Sequence, residues 1–319
     1  MLLLPIKTAY SPASISHASA ASSQTLVACL TGNLTTARLS SKGGTETFVK
    51  VLSSFTGRET IEGPSRATYA WHTSLPATDD DVLATVKETT NSLVELTKFK
   101  SSYNCVLFDL EGHGLSPTCP LSKLSIASFA ADVKDLASHF GVTSGLTLVA
   151  HSMGCLVALQ AAQGNPGLVS KLILVGPPPN PLPEAASKSS HARAGLVRAE
   201  GMGAVVDAVC AGGTSQKTKD SNPVALTAVR LSLLGQSGEG YAKACSALAE
   251  ATDAFDLESV KAETLIVTGA EDKVSSAEVC EGYKRKLPNV VGVEVLQDVG
   301  HWHVFEDATG VAQAVSKTL

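Results

Sequence analysis

The run Leu146-Thr147-Leu148-Val149-Ala150-His151-Ser152-Met153-Gly154 leaves this chain few folds to choose from. Its first half is short and mostly apolar, as a strand buried on both faces of a parallel sheet must be. From Met153 to Gln163 the residues suit a helix, so strand gives way to helix at Ser152. Two backbones crowd at so abrupt a corner, which explains the small residues two positions before and after the serine, Ala150 and Gly154. A strand that feeds a helix this directly belongs in a layered α/β protein.

The same unit recurs. Cys105–Phe108, Leu172–Val175, Thr264–Thr268 and Val291–Leu296 read as further strands, with Thr25–Leu30 ahead of them. Ile126, Phe129, Ala130, Val133, Leu136 and Phe140 recur at helical spacing between two of these strands. Ser125 is placed to cap that helix, and Gly141 to end it. A last helix begins near Ala308. This alternation implies a doubly wound, mostly parallel sheet in an α/β fold. With 44% hydrophobic but only 5% aromatic residues, Ala, Val and Leu must fill its core.

Three stretches interrupt the rhythm. Residues 1–24 form an N-terminal Ser/Ala-rich segment. Residues 35–103 hold a helical pattern from about Asp81 to Lys98, but Thr35 to Asp80 is weakly patterned and too long for an ordinary connection. It reads as an atypical insertion, or as non-native sequence kept by the gene model. Residues 179–258 carry helical patterns over about 184–199, 201–211, 223–235 and 239–251, introduced by the proline-rich run 177–183. A helical insertion between strands of one sheet is expected to lie over the strand ends as a lid. The core is thus divided into 25–178 and 259–319, and the 319 residues need no second independent domain.

A net charge of −5 argues against nucleic acid, whose phosphates demand a surplus of Lys and Arg. No apolar run approaches the roughly 20 residues that span a bilayer. The seven cysteines are scattered singly, without a CxxC pair, so neither a disulfide framework nor a zinc site is indicated. Residues 8–45 contain no Asp or Glu, as in a transit peptide, but also no arginine before Arg38. The expectation is a reducing, cytoplasmic setting.

Ser152 gains chemical meaning from two loops later in the chain. A serine hydroxyl is a weak nucleophile at neutral pH and needs a base, which in turn needs an orienting acid. Carboxylates stand after the strand ending at Thr268, in Gly269-Ala270-Glu271-Asp272-Lys273; histidines come after the last strand, in Gly300-His301-Trp302-His303. Both loops open on the same sheet edge as Ser152. Singly, these are also what a capping carboxylate or a surface imidazole looks like. Together, in the order serine, acid, histidine, they favour Ser152 as nucleophile, Asp272 as acid and His301 as base. The Met153 N–H, at a helix N-terminus, is placed to stabilise an oxyanion. His303 reads as a packing residue, and a metal at His301 and His303 lacks further ligands.

Asp109-Leu110-Glu111-Gly112-His113-Gly114-Leu115-Ser116 reads as a structural turn, because its Asp and His precede the nucleophile. This run also resembles the D-x-x-G-H-G-x-S signature of the α/β-hydrolase superfamily. Ala150–Gly154 is similar to that family's nucleophile elbow, and Gly269–Asp272 and Gly300–His301 match its acid and base. The segments Glu200–Val209 and Gly238–Leu248 resemble those of 3-oxoadipate enol-lactonases. The resemblance implies a second oxyanion donor after the first strand, for which Leu30-Thr31-Gly32-Asn33-Leu34 offers Asn33, in place of the family's usual His-Gly. It implies a serine hydrolase of a small carboxylic ester or lactone that needs no metal or organic cofactor.

Trp302, next to the base, and Arg193, Arg198 and Arg230 are candidate substrate contacts. The arginines share their region with Glu200, Asp207, Asp220 and Glu239, as a solvated mixed-charge face also would. Other readings stay open: a non-catalytic ligand-binding protein, a C–C bond hydrolase or an acyltransferase.

Overall fold

The computed structural model describes residues 26–31, 61–62, 68–69, 71–72, 104–114 and 116–319, with side chains from Phe108 onward. The helix expected over 81–98 and most of the 35–103 segment lie outside the described residues, as do residues 1–24. In chain order the strands are β1 (Leu26–Thr31), β2 (Ile61–Glu62), β3 (Thr68–Tyr69), β4 (Trp71–His72), β5 (Asn104–Phe108), β6 (Leu146–His151), β7 (Val169–Val175), β8 (Glu263–Gly269) and β9 (Val290–Leu296). Seven of them form one sheet in the order β4-β5-β1-β6-β7-β8-β9, parallel except for β4, which runs antiparallel to β5. The architecture is α/β, with a mostly parallel sheet.

At β1 the chain order reverses, β5 lying on one side and β6 on the other. Open α/β sheets place ligands in the crevice outside the carboxyl ends of the strands at such a switch point. Register keeps those ends level: Thr31 pairs with His151, His151 with Val175, Val175 with Val267, and Gly269 with Leu296. The loops after β6, β8 and β9 therefore emerge along one edge.

Helix α1 (Ile126–His139) begins as expected: Ser125 Oγ accepts from Ser128 N–H, and Ser128 Oγ accepts from Ser125 N–H in return. Helix α2 (Met153–Gly164) is apolar almost all round, and Cys155 to Leu159 are fully covered. A helix without a polar face has to be enclosed, and α2 is held between the sheet and α1. Leu148, Leu172, Leu174 and Ile266 supply the sheet's share of the core. Burying a leucine of this kind contributes about 1.5–3 kcal/mol. Cys155, Cys210, Cys245 and Cys280 are buried free thiols that desolvation pushes up in pKa, so they act as small apolar residues.

Between β7 and β8 lie five α-helices, α3 (Glu184–Glu200), α4 (Gly203–Gly213), α5 (Gln216–Ser221), α6 (Pro223–Leu234) and α7 (Gly238–Ala249), and a 3-10 turn at Leu257–Ser259. Four answer to the patterns in the sequence within a few residues. The fifth, α5, is short and polar, and it starts where Ser215 Oγ accepts from Thr218 N–H. The inserted segment has its own apolar cluster, including Val205, Val206, Val229, Leu233 and Tyr241. It meets the sheet edge at the turn after β5. A Cβ on Gly240 would lie 1.9 Å from the Gly112 carbonyl oxygen, so the first turn of α7 rests directly on that backbone. Nearby, the Lys243 ammonium donates to the Cys119 carbonyl at 2.7 Å and to Thr118 Oγ1 at 3.2 Å. Helices α8 (Ala277–Lys286), α9 (His303–Glu306) and α10 (Ala308–Ser316) complete the chain. Among the described residues, no helix is long and apolar enough to cross a membrane.

Candidate active site

Ser152 stands between the last residue of β6 and the first of α2, with φ 54° and ψ −126°. A positive φ is costly for a residue with a Cβ, and such strain persists only where surrounding structure fixes it. Here the Ser152 N–H donates to the Val175 carbonyl at 3.0 Å, and the Ser152 carbonyl accepts from Cys155 N–H at 2.8 Å. The corner lifts the hydroxyl off the sheet edge. Met153 opens α2, so its N–H belongs to the first turn, where helix donors have no partner one turn back.

The loop after β8 brings Asp272, three residues beyond Gly269, to the same edge. Its Oδ1 accepts from the N–H groups of Val274 at 2.7 Å and Ser275 at 2.9 Å, which fixes the carboxylate plane. Oδ2 is thereby aimed at His301 Nδ1, 2.9 Å away, and His301 Nε2 lies 2.8 Å from Ser152 Oγ. Neighbouring Glu271 faces elsewhere, accepting from Gln216 N–H at 2.9 Å. The Asp272 side chain is fully covered, and that of His301 is 13% exposed. Burial pushes the Asp272 carboxyl up in pKa, but its hydrogen bond to His301 and the nearby His303 ring override this and hold it far below the usual carboxylate range. A hydroxyl, an imidazole and an ionised carboxylate in series can deprotonate the hydroxyl as it attacks a carbonyl.

Two more histidines flank this series, and a third lies in the turn after β5. His151 Nε2 lies 2.8 Å from the His301 carbonyl oxygen, as expected of a donor holding that loop. His303 is fully buried, its Nε2 3.3 Å from Asp272 Oδ2 but off hydrogen-bonding geometry. It fits because residue 176 is glycine: a Cβ there would stand 2.6 Å from His303 Cε1. His113 is buried in the turn after β5, with Nδ1 3.3 Å from the Glu111 carbonyl. One ring nitrogen each from His151, His301 and His303 lies within 4.8 Å of the others, close enough to share a metal ion. Both nitrogens of His301 already face Asp272 and Ser152.

Imidazoles held neutral in the fold, His113 and His303 buried and His151 half-buried, make stability depend on pH. Desolvation, then the nearby His301 and His303, push His151 down to about 3. Burial likewise lowers His113, against the Glu111 carbonyl, and His303, against Asp272. Unfolded, each takes up a proton below its ordinary 6.5, whereas folded it stays neutral. The stabilisation is therefore complete above that value and is lost as the pH falls toward the folded pKa. For His151 the loss is up to about 1 kcal/mol between about pH 6.5 and 5.5, and the other two add to it in the same direction. Urea unfolding across this range is expected to show the fall; a flat profile would mean that these rings are protonated in the fold.

The remaining sequence candidates sit outside this series. Asn33 lies outside the described residues. Trp302, expected at the substrate, has its ring buried among the apolar side chains of the inserted segment, 6.4 Å from the His151 ring centre. Arg198 pairs with Glu239 through Nε at 3.1 Å, and Arg230 pairs with Asp207, both near the surface. Arg193 sits half-buried beside Tyr241 and Cys245. Nothing in the sequence singles out Glu306, which accepts four hydrogen bonds around the His301 loop.

A profile of the alpha/beta hydrolase family matches residues 67–314. The 3-oxoadipate enol-lactonase 2 of Acinetobacter baylyi is 28% identical over 182 residues, a segment covering 57% of this chain and 66% of that relative. A thermophilic esterase from Thermogutta terrifontis superposes with a TM-score of 0.68 at 26% identity, over 81% of this chain and 95% of its own. The enol-lactonase of Burkholderia xenovorans LB400 gives 0.65 at 18% identity, over 79% and 96%, a likeness of fold.

Proposed function

This chain belongs to the alpha/beta hydrolase family, and within it we propose a serine hydrolase that cleaves a carboxylic ester or lactone through an acyl-enzyme. The observation that carries the reading is the unbroken series Ser152 Oγ, His301, Asp272, with the serine held at positive φ on a strand-to-helix corner. The esterase and enol-lactonase named above support the choice of carbonyl chemistry.

Ser152 Oγ attacks the carbonyl carbon while His301 Nε2 takes its proton. Asp272 Oδ2 accepts from the Nδ1–H, keeping the ring in the tautomer whose Nε2 is free to act as base. The Met153 N–H faces the developing oxyanion, and Asn33 N–H is the proposed second donor. One such donor is worth about 10²–10³ in kcat. His301 then hands its proton to the leaving oxygen, which in a lactone stays tethered to the acyl group. A water deprotonated by His301 attacks the acyl-enzyme, and the proton returns to Ser152 as the acid is released.

The test is a fluorophosphonate probe followed by a substrate panel. Folded protein is expected to be labelled at Ser152 and to lose turnover in proportion. The panel sets an enol-lactone beside short and long p-nitrophenyl esters, with the first two expected to be preferred. Folded protein that resists the probe would remove the hydrolase reading and favour a ligand-binding role.

A further inference from the structure

We propose that Glu306 is a positioning residue for His301, through which the α4–α5 corner of the inserted segment sets the geometry of the base. This rests on the reading of Ser152 as a nucleophile served by His301.

Glu306 Oε1 accepts from Gly300 N–H and from Trp302 N–H, each at 3.1 Å. These are the two residues on either side of His301. Glu306 Oε2 accepts from Ser215 N–H at 2.7 Å and from Thr218 Oγ1 at 2.9 Å. The N–H of His301 itself donates to the Gly213 carbonyl at 2.7 Å. Three successive backbone N–H groups are thus held, two by one carboxylate and one by the corner to which that carboxylate is tied. The contact is tight: a Cβ on Gly300 would lie 2.6 Å from the Gly213 oxygen and 2.8 Å from Ser215 N. Trp302 anchors the same loop by burying its ring in the inserted segment.

The chemistry favours a carboxylate. All four partners donate, and an ionised carboxylate is acceptor-only, with about four lone-pair positions for them. Glutamine has the same shape but must turn its NH₂ toward one pair of donors. Either the His301 flanks or the Ser215–Thr218 corner then faces donor against donor, and the loop shifts. A displacement of about 1 Å in a reacting group costs on the order of 10²-fold in rate. The bonds at stake are the 2.8 Å contact to Ser152 and the 2.9 Å contact to Asp272.

The experiment compares wild type, Glu306→Gln and Thr218→Val for kcat and KM on a short p-nitrophenyl ester, well below their melting temperatures. Proton NMR tracks the downfield resonance of the His301 Nδ1–H. In Glu306→Gln, kcat is expected to fall about 10- to 100-fold with KM nearly unchanged, and the resonance to shift or broaden. Thr218→Val, which removes one of the four donors, is expected to lose kcat several-fold. A purely structural carboxylate would lower the melting temperature while leaving kcat and the resonance at wild-type values, and that result overturns the proposal. Should Glu306→Gln not fold, wild-type kcat and resonance in Thr218→Val overturn it instead. A wild type that neither turns over ester nor takes the fluorophosphonate label defeats the hydrolase reading, while the resonance still reports on the clamp.

Discussion

Replacing Ser152 with alanine is expected to lower ester or lactone turnover about 10⁵- to 10⁶-fold, the scale of loss when a nucleophile of this kind is removed. The fold should survive. Alanine pays about the same price as serine for a φ of 54°, and the corner is fixed by backbone bonds to Val175 and Cys155 rather than by the hydroxyl. What disappears is the atom that forms the acyl-enzyme and the 2.8 Å partner of His301 Nε2. Circular dichroism and thermal melting should overlay the wild type, while kcat falls to the background left by oxyanion stabilisation and binding. Substrate binding, measured by calorimetry, should persist. Retained turnover in a folded Ser152→Ala protein would mean that the nucleophile lies elsewhere.

Much of this arrangement is legible in the sequence because it depends on chain order. A parallel sheet sends every strand's carboxyl end to one edge, so residues just after consecutive strands converge there however far apart they lie in the chain. Ser152, Asp272 and His301 come after β6, β8 and β9, and that ordering suffices to bring them together. Choosing between Glu271 and Asp272 is harder, since both occupy the same loop. The shorter side chain can fold back onto the N–H groups two and three residues ahead, and Asp272 does so. Glutamate has no such local bond and reaches out to Gln216 instead.

Other features depend on packing, which periodicity does not reveal. Trp302 reads as a substrate contact because it adjoins the base, yet apolar residues of the inserted segment enclose its ring. Helix α5 leaves no apolar stripe to detect, and only its Ser215 cap marks it. Glu306 looks like one acidic residue among many near the C-terminus. Its role emerges only when the α4–α5 corner and the His301 loop face it from opposite sides. The burial of His113 and the half-buried setting of His151 are invisible for the same reason, because a histidine in the sequence carries no sign of its surroundings.

Replacing Asp272 with asparagine is expected to cost about 10⁴ in kcat, with little change in KM, through the tautomer of His301. The carboxylate serves two sets of donors: Oδ1 takes two backbone N–H groups, and Oδ2 takes the imidazole. An amide cannot accept on both sides. Its oxygen must meet the N–H groups of Val274 and Ser275, so its NH₂ turns to His301 Nδ1. That nitrogen then has to accept, which moves the ring proton to Nε2, the atom that should take the proton of Ser152. Stability carries a second signature. The native carboxyl is held far below its ordinary 3.8, so its ionised form stabilises the fold fully above that pH and the contribution drains away as acid protonates it. Asp272→Asn lacks this contribution. Its unfolding free energy should fall short of wild type at neutral pH and approach it below about pH 4. A kcat within tenfold of wild type would show that the base is oriented by some group other than Asp272. A stability difference that stays constant from neutral to acid pH would show that the carboxylate's charge is not what the fold uses.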